Sequence, residues 1–310
     1  MKKLRSLLED RARLLAAVRG FFAQRGVLEV VTPVLGRAAD PEPEIQPFRV
    51  AAPEGDRYLQ TSPEFHMKRL LAAGSGPIYQ ISHAFRAGEA GRRHNPEFLL
   101  LEWYWPGFDH FRLMDEVADL VNQVLGRSLP VERIAYRKLF LEHLDLDPLA
   151  ADEATLAATA RRLGFDVAGL SGRDAWLELL MAMVIEPELG RGRLTFVHGY
   201  PANQAALARL DPDDPRVARR FELYLEGVEL ANGYHELADA AEQRARFEAH
   251  NAERRRRGLP VLPLDEALLA ALAQGLPDCA GVALGLDRLL MLSRGADRLD
   301  AVLEFPWPLA

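Results

Sequence analysis

Apolar and polar positions along the first third of the chain separate a helix from the strands that follow it. Residues 7–26, LLEDRARLLAAVRGFFAQRG, repeat apolar side chains at three- and four-residue spacing, which predicts an amphipathic helix with Gly26 as its C-cap. The next run, VLEVVTPVL, is typical of a strand, and Pro33 predicts an edge or a break within it. Residues 37–57 are rich in Pro, Glu and Ala and indicate a loop.

The pattern then changes to short strands joined by turns. Residues 57–74 predict a strand, a turn and a helix that begins near Pro63, whose fixed φ and missing amide hydrogen suit a helix start. The runs PIYQISHAFRAG and EFLLLEWYWPGF predict two neighbouring strands, and residues 112–126 predict a helix closed by Gly126.

The second half of the chain combines a helical and an extended part. Residues 131–195 are predicted to be helical, whereas the pattern from residue 194 through ELANGYHEL is extended. A charged helix is predicted over 239–257, and CAGVALGLDRLLMLSRG predicts a final extended segment that leads into a buried helix. Hairpin-linked strands with interspersed helices predict an α+β fold with a mostly antiparallel sheet, in a single domain spanning residues 1–310.

Composition restricts the class of protein. The 310 residues carry 38 Lys and Arg against 45 Asp and Glu, a net charge of −7, which disfavours wholesale binding of nucleic-acid backbones and a DNA partner. Cys279 is the only cysteine, so an intrachain disulfide is excluded and a reducing compartment fits. Charges at residues 9–11 argue against a signal peptide, and no apolar run approaches the roughly 18–20 residues that span a bilayer. We therefore expect a cytoplasmic protein with no membrane partner.

The turn inside FRAGEAGRRHNPEFLLLEWYW (residues 85–105) concentrates charge between two apolar runs. Arg86 suits the oxygens of a triphosphate, because a guanidinium group is planar, always charged and able to donate two parallel hydrogen bonds. Phe98 offers an aromatic face to a base, and Glu89 or Glu97 offers an acceptor to an exocyclic amine. A solvated hairpin tip explains the same residues, so the motif alone leaves both interpretations open.

A second acidic segment is RFELYLEGVELANGYHEL. Glu222 and Glu229 are separated by an odd number of positions, so they share a strand face only if a turn or bulge intervenes, plausibly at Gly227. Paired carboxylates beside a triphosphate suit Mg²⁺. Glu236, Asn232 and Tyr234 can together receive a cationic amino group. An amphipathic hairpin with exposed acids is an equally good interpretation.

Three other segments carry weaker signals. In GVALGLDRLLML, glycines precede Arg288 at a helix start, where anions are favoured. Glu64 also lies near a predicted helix start, either as a partner of the helix dipole or as a ligand for an amine. Arg254–Arg257 are expected to form a solvated helix end, and Cys279 is expected to fill the core rather than act as a nucleophile.

Taken in order, these segments resemble the three motifs of the class II aminoacyl-tRNA synthetase catalytic core. GVLEVVTPVL is similar to motif 1, FRAGEAGRRHNPEFLLLEWY to motif 2 and GVALGLDRLLML to motif 3. The segments TSPEFHMKRLL, RHNPEF, ELANGYHEL and RRRRGLPVLPLDEALLAAL resemble lysyl-tRNA synthetases in particular. The resemblance extends over essentially the whole chain, and several matching segments in the right order are far more specific than any one of them.

The resemblance implies ATP and Mg²⁺ as cofactors and assigns a role to each matching residue. The implied catalytic residues are Arg86, which would contact the α-phosphate and the substrate carboxylate, and Arg288, which would contact the outer phosphates. The implied ATP-binding residues are Arg86, Ala87, Gly88, Glu89, His94, Asn95, Phe98, Glu229, Leu230, Gly285 and Arg288. The implied amino-acid-binding residues are Ser62, Pro63, Glu64, Tyr104, Asn232, Glu236 and Ala283, with Glu102 close by. Glu222 and Glu229 are the implied Mg²⁺ ligands. The family often has Asn-Glu where this chain has Ala87-Gly88, so adenine recognition stays open between Glu89 and backbone contacts.

The sequence also resembles a more specialised branch. Lysyl-tRNA synthetases carry an N-terminal OB-fold that reads the anticodon, whereas the motif 1 helix here begins near residue 4, so no anticodon-binding domain is expected. This shortened form, with LANGYHEL, LEWYWP and PDCAGVALGLDR, is similar to the family of elongation factor P–(R)-β-lysine ligases. The resemblance implies a homodimer that activates (R)-β-lysine with ATP and transfers it to a lysine side chain of translation elongation factor P, without tRNA as a partner. Ala283 stands where lysyl-tRNA synthetases typically have glycine, and its methyl group is expected to disfavour an α-amino group.

Two other functions remain compatible with the residues. A minimal lysyl-tRNA synthetase-like enzyme would charge RNA through the acceptor stem alone, and the net charge of −7 weighs modestly against it. A non-catalytic amino-acid sensor would not need Arg86, Arg288 and both glutamates. An amidating enzyme is disfavoured by Glu236 and Tyr104, which suit a long cationic side chain.

Overall fold

The structure is a computed structural model that describes residues 2–165 and 167–310. The helices are α1 (Lys2–Gln24), α2 (Glu64–Ala72), α3 (His110–Leu125), α4 (Tyr136–Leu144), α5 (Glu153–Arg162), α6 (Arg173–Leu180), α7 (Ala240–Arg256), α8 (Glu266–Gly275) and α9 (Leu286–Ser293). The strands are β1 (Leu28–Glu29), β2 (Leu35–Gly36), β3 (Arg49–Val50), β4 (Arg57–Leu59), β5 (Ile78–Phe85), β6 (Glu97–Pro106), β7 (Val131–Ala135), β8 (Leu194–Pro201), β9 (Val217–Leu225), β10 (Val228–His235) and β11 (Cys279–Gly285). The chain forms two compact units, the first made of Met1–Arg127 with Glu236–Ala310 and the second of Ser128–His235.

The first unit is organised around strands in the order β1-β5-β6-β11. Its β5–β6 and β6–β11 ladders are antiparallel, and only the short β1–β5 pairing is parallel. Helix α9 packs against β6, α3 against α1 and β11, and α2 against α8. The β2, β4 and β3 strands form a separate small antiparallel sheet.

Helix α3 shows how local sequence sets the boundaries of an element in this unit. The Asp109 side chain accepts a hydrogen bond from the Arg112 amide at the N-cap, and Gly126 takes the left-handed conformation that ends the helix. Its buried residues recur at three- and four-residue spacing and face the core. In that core, the Phe22 ring of α1 stacks on Tyr79 at a centroid distance of 4.3 Å and meets Trp103 edge-on at 5.4 Å.

The second unit is built on strands in the order β10-β9-β8-β7. The β10–β9 and β9–β8 ladders are antiparallel, and β7–β8 is parallel. Glu226 and Gly227, with φ of 52° and 68°, make the two-residue turn between β9 and β10, where both positions require positive φ. The core between this sheet and helices α4–α6 is formed by aromatic and aliphatic side chains, including Tyr136, Phe140 and Trp176.

The predicted α+β class with mostly antiparallel pairing is confirmed, and most predicted elements lie where the periodicity placed them. The strand-like run after α1 is interrupted at Pro33, as expected, and becomes β1 and β2. Three predictions about elements were wrong or incomplete. Residues 37–57 are not a loop throughout, because Arg49–Val50 pair with β4 as a short strand. Residues 131–195 are not helical throughout, because Val131–Ala135 pair in parallel with Leu194–His198 as a strand. Helix α8 was not predicted, although Asp265 accepts a hydrogen bond from the Leu268 amide as its N-cap.

The arginine run at the end of α7 corrects another expectation. Arg254 is buried, whereas Arg255–Arg257 are exposed. The Arg254 guanidinium donates hydrogen bonds to the carbonyl oxygens of Pro260, Glu42 and Ile45 and to Gln46 Oε1. It therefore fastens the loop before β3 to the end of α7 instead of facing solvent.

Cys279 is fully buried and fills the core, as predicted. No helix within residues 2–165 and 167–310 is both long and apolar enough to cross a bilayer. The assignment of residues 1–310 to a single catalytic domain stays a prediction.

Candidate active site

Strands β6 and β11 present one common face to the site. The register pairs Tyr104 with Gly281 and Glu102 with Ala283. Because directly paired residues of an antiparallel ladder project to the same side, and alternate residues of a strand do as well, Phe98 lies on this face with Glu102 and Tyr104. The alternating run of β6 therefore carries an aromatic ring at one end and polar groups at the other.

The polar end of this face is a buried carboxyl group with two hydroxyl donors. Glu102 accepts hydrogen bonds from Tyr104 Oη at 2.6 Å and from Ser62 Oγ at 2.7 Å. Ser62 Oγ in turn accepts from the Glu64 amide at 3.0 Å, and Pro63 is the N-cap residue of α2, so the TSPE segment both starts the helix and holds Glu102. Burial, with the charges of Glu64 and Glu236, raises the pKa of Glu102 to about 8 despite the two hydroxyl donors.

Beside Glu102, a buried lysine joins two glutamates from distant parts of the chain. Lys68 Nζ lies 2.5 Å from Glu64 Oε1, one helical turn away on α2, and 2.6 Å from Glu236 Oε2. Burial by itself would lower the pKa of Lys68, but the charges and hydrogen bonds of Glu236 and Glu64 raise it above its ordinary value. The three side chains form an ion triad, Glu64–Lys68–Glu236, in which Lys68 is the cation.

Gly281 leaves room for Tyr104 and Glu236 to approach strand β11 closely. A Cβ built on Gly281 would lie 2.2 Å from Tyr104 Cε1 and 2.6 Å from Glu236 Oε1. Separations below about 3 Å do not occur between such atoms without a shift of one of them. The missing side chain at position 281 is therefore the reason why Tyr104 and the Glu236 carboxylate can both lie over β11.

The charged turn places a guanidinium group over an aromatic ring. The Arg86 guanidinium carbon lies 5.1 Å from the centre of the Phe98 ring, and Arg86 Nη1 lies 3.9 Å from Glu89 Oε1. Gly88 adopts φ of +84°, which turns the backbone after Ala87. Glu97 belongs to the opposite face of β6 from Phe98 and pairs with His83 at 2.7 Å, so Glu89 is the carboxylate on the Arg86 side.

Arg288 reaches the same turn from the first turn of α9. Its Nη2 lies 2.8 Å from His94 Nε2, and its Nε donates to the Arg93 carbonyl oxygen. Burial and the Arg288 charge lower the pKa of His94, which keeps the imidazole neutral and able to accept that hydrogen bond. Asn95 is used structurally, because its side chain donates to the Glu97 carbonyl at 2.6 Å and accepts from the Trp307 amide at 3.0 Å.

The second unit holds the other acidic residues singled out by the sequence. Tyr224 is paired with Glu229 across the two-residue turn at Glu226 and Gly227, which puts Glu229 on the same face as Glu222, as predicted. A bulge between Glu229 and Ala231 then adds one residue to β10 and pairs Glu222 with Asn232. The turn and the bulge together bring Glu222, Glu229 and Asn232 to one face of the β9–β10 hairpin.

Glu222 is already engaged by an arginine and two tyrosines. Arg220 Nη2 donates to Glu222 Oε1 at 2.5 Å, and the hydroxyls of Tyr200 and Tyr224 donate to Oε2 at 2.7 and 2.6 Å. Burial and the Glu222 charge raise the pKa of Tyr200 and Tyr224, so both stay protonated as donors. Oε2 has no further lone pair to offer, whereas Oε1 keeps one.

Sequence reasoning found most of these residues and missed three that hold them. Lys68 was overlooked, although its spacing of four residues from Glu64 on a predicted helix is the pattern of an ion pair. Arg220 stands two residues before Glu222 on the same strand face, which is also visible in the sequence. The need for glycine at position 281 has no local signal, because it arises from side chains that are distant in sequence.

The residues of each unit fit the groups that the resemblance implies. In the first unit, the cations of Arg86 and Arg288 suit a polyphosphate, and Arg86 Nε is a buried donor without an acceptor among the described residues. In the second, Glu229 and the remaining lone pair of Glu222 Oε1 are oxygen donors of the kind Mg²⁺ prefers. The described residues contain no cluster of three or more metal-binding side chains, so substrate phosphates would have to complete such a coordination sphere.

The chain is similar to known proteins over nearly its whole length. The sequence model of the family described as tRNA synthetases class II (D, K and N) matches residues 1–308. The chain is 51% identical over 309 residues to the elongation factor P–(R)-β-lysine ligase of Yersinia enterocolitica, covering 96% of this chain and 94% of that protein. The ligases of the same name from Salmonella typhi and Pectobacterium carotovorum are 50% and 51% identical over 308 and 306 residues, with the same coverage of 96% and 94%.

Proposed function

The chain belongs to the class II tRNA synthetase family (D, K and N), and from this premise we propose that it is an ATP-dependent, AMP-forming ligase. Its proposed substrates are (R)-β-lysine and a lysine side chain of translation elongation factor P, the reaction named for relatives about half identical over 96% of the chain. The structural observation that carries the proposal is the cluster of acids Glu64, Glu102 and Glu236, with Glu102 on the same face of β6 as Phe98, over which the Arg86 guanidinium lies. A pocket of buried acids suits a cationic amino acid, and the adjoining arginine suits its carboxylate and a phosphate.

The first step is proposed to be in-line attack of an amino-acid carboxylate oxygen on the α-phosphorus of ATP. The new bond joins that oxygen to phosphorus, the bond from the α-phosphorus to the bridging oxygen breaks, and pyrophosphate leaves. Arg86 neutralises charge that develops on the α-phosphate, and Arg288 receives the departing phosphates. Such a step depends on positioning and charge neutralisation rather than on a protein nucleophile.

In the second step, the neutral amine of the acceptor lysine attacks the carbonyl carbon of the activated amino acid. An amide bond forms, AMP leaves, and the amine loses one proton. The acceptor lysine and the amino acid both carry amino groups. The site must therefore bind the amino group of one as ammonium and leave the amino group of the other neutral, so that it can attack. The buried acids on β6 and α2 support ammonium binding for the amino acid.

ATP is proposed to lie along the charged turn. The Phe98 ring offers a stacking face to adenine, and the cationic side chains of Arg86 and Arg288 would hold the phosphates. Glu89 or the backbone at Ala87-Gly88 would meet the adenine edge, since Glu97 belongs to the opposite strand face. When bound, Mg²⁺ supplies charge neutralisation at the phosphates, and Glu229 with Glu222 would be its protein ligands.

Selection of the β-amino isomer is proposed to involve Ala283. Its register position opposite Glu102 puts its methyl group on the substrate face of β11. One methyl group in such a pocket contributes about 1–3 kcal/mol of discrimination, which is enough for preference but not for exclusion.

We further propose a homodimer in the cytoplasm. The segment after α1 exposes apolar side chains that a monomer would leave in water, with Leu28 59% and Val31 91% exposed. Val31→Asp should dissociate the protein to monomers in analytical ultracentrifugation, and an unchanged dimer mass would place the interface elsewhere.

The experiment that tests the function is amino-acid-dependent ATP–pyrophosphate exchange with (R)-β-lysine and α-lysine, followed by transfer to elongation factor P or to bulk tRNA. We expect preference for (R)-β-lysine and label on the protein, and we expect Arg288→Ala to raise the KM for ATP without changing that preference. Label on tRNA would instead establish a minimal synthetase. No exchange with either amino acid would refute the ligase and favour a sensor.

A further inference from the structure

Lys68 is a buried cation inside a pocket that is expected to bind a cation. Its side chain is 2% exposed, so water does little to stabilise its charge. Its two carboxylate partners come from different segments, Glu64 from the start of α2 and Glu236 from the chain that follows β10. Burying a charged lysine costs desolvation free energy. The presence of the Lys68 ammonium group in a site that is expected to bind the substrate's ammonium group therefore needs a physical explanation.

The charges of the pocket supply that reason. Three carboxyl groups lie together here, those of Glu64, Glu102 and Glu236. Glu102 stays largely neutral at pH 7, because its pKa lies at about 8. Lys68 cancels one of the two remaining charges, and the pocket keeps one net negative charge.

We infer that Lys68 is a positioning residue that selects the substrate's charge: it holds Glu64 and Glu236 on one ammonium group and leaves a single negative charge to be matched by one ammonium group of the amino acid. The inference rests on the proposed function and deepens it. Glu236 is the member held toward the substrate face, since its Oε1 lies over Gly281 beside the Tyr104 ring. Lys68 therefore acts on the substrate through Glu236 and not by contact.

Without Lys68, a proton must take over its role. Two buried carboxylates that share a site cannot both stay ionised, so one of Glu64 and Glu236 would bind a proton with a raised pKa. Binding of the substrate ammonium would then have to displace that proton, which makes affinity depend on pH. The other titratable groups that interact electrostatically with the members of the triad are Asp40, Glu102 and Tyr104.

The test compares Lys68→Met and Lys68→Arg with wild type in ATP–pyrophosphate exchange from pH 6 to 9, with KM measured for amino acid and ATP separately. For Lys68→Met we expect the amino-acid KM at pH 7 to be about 100-fold above that of wild type. This increase should become smaller as the pH rises. The KM for ATP should stay within about twofold of wild type. Lys68→Arg keeps the charge and should raise the amino-acid KM by no more than about tenfold. The matched control is Lys138→Met, because Lys138 makes the same four-residue ion pair with Glu142 while 64% exposed, and it should change nothing.

A double variant keeps the test decisive if Lys68→Met folds poorly. Lys68→Met with Glu64→Gln restores the net charge, so thermal stability should recover and the pH dependence should vanish. Its amino-acid KM should remain about tenfold above wild type, because Glu236 has lost its bridge.

Three results would overturn the inference: a folded Lys68→Met with wild-type amino-acid KM, an equal rise of both KM values, or a double variant with wild-type KM. Failure of the proposed function is a separate result, namely wild-type protein without exchange for any lysine isomer. In that case, calorimetric binding of lysine to wild type and Lys68→Met, without ATP, still decides the role of Lys68.

Discussion

Gly281→Ala is the substitution for which the structure gives the sharpest expectation. It adds one carbon at a position that faces the amino-acid pocket and alters no charge. That carbon would lie 2.2 Å from Tyr104 Cε1, 2.3 Å from Tyr104 Cδ1 and 2.6 Å from Glu236 Oε1. Carbon atoms in ordinary contact are about 3.5–4 Å apart, so a group must move by more than about 1 Å.

Neither neighbour can move cheaply. Tyr104 is 2% exposed and its hydroxyl is bonded to Glu102, while Glu236 is 1% exposed and ion-paired with Lys68. Overpacking of this kind costs about 1–3 kcal/mol of stability. A displacement of about 1 Å at a reacting or binding group can cost roughly 100-fold in rate. We therefore expect kcat/KM for the amino acid to fall about 100-fold and the free energy of unfolding to fall by about 1–3 kcal/mol.

The assay is ATP–pyrophosphate exchange with the amino acid and ATP titrated in turn, together with urea unfolding. The KM for ATP should stay within about twofold, because Gly281 pairs with Tyr104, six residues along β6 from Phe98. The matched control is Gly20→Ala, since a Cβ there meets nothing within 4 Å and lies in helix α1. Alanine in a helix interior is favoured over glycine by roughly 0.5–1 kcal/mol, so the control should gain stability and keep its kinetics.

An unchanged amino-acid KM together with unchanged stability would show that the close approach of Tyr104 and Glu236 to β11 does not exist. An equal loss for ATP and amino acid would also refute the reasoning, because it would mean a general distortion of the sheet.

Three further predictions follow from other contacts. Glu236→Ala should abolish amino-acid activation and leave ATP binding, measured by calorimetry, nearly intact; an equal loss of both would contradict its assigned role. Asp287→Ala removes a buried acceptor that lies 2.7 Å from both Arg11 Nη1 and the Leu99 amide, and it should lower the free energy of unfolding by about 3 kcal/mol in urea titrations, whereas a change below about 1 kcal/mol would show the network to be unimportant. Because the pKa of Glu102 is raised from 4.5 to about 8, its neutral form stabilises the fold below pH 4.5, and that stability is lost as pH rises toward 8. Glu102→Gln should therefore flatten the pH dependence of unfolding in this range by up to about 1.4 kcal/mol per pH unit, and an unaltered slope would show that Glu102 ionises normally.

Local sequence by itself determined the boundaries of several elements. Helix α3 begins at an Asp109 cap and ends at Gly126 because both residues act on the backbone next to them. The β5–β6 hairpin and the charged turn between them follow from alternation and composition, which involve neighbouring residues only. Arg86 and Phe98 were found for the same reason, since the turn that carries their chemistry is contiguous.

Long-range packing changed the local expectation at other elements. The five residues Val131–Ala135 became a strand because Leu194–His198 offered them a parallel partner, and a run this short has no decisive period of its own. Arg254 belongs to a charged run that predicts exposure, yet carbonyl oxygens of the loop before β3 surround its guanidinium group. Helix α8 is different, because its Asp265 cap was readable in the sequence and was overlooked.

The sequence indicated which chemical groups the candidate site contains, and the tertiary structure decided how they are paired. Glu64, Tyr104, Glu222 and Glu236 could each be named from their motifs, because residue type and order survive in the sequence. The bonding of Lys68 to Glu236, the glycine required beneath Tyr104 and the bulge that pairs Asn232 with Glu222 could not. Each of these depends on distances between residues that are far apart in the chain or on a register shift of one residue, and neither quantity exists until the chain has folded.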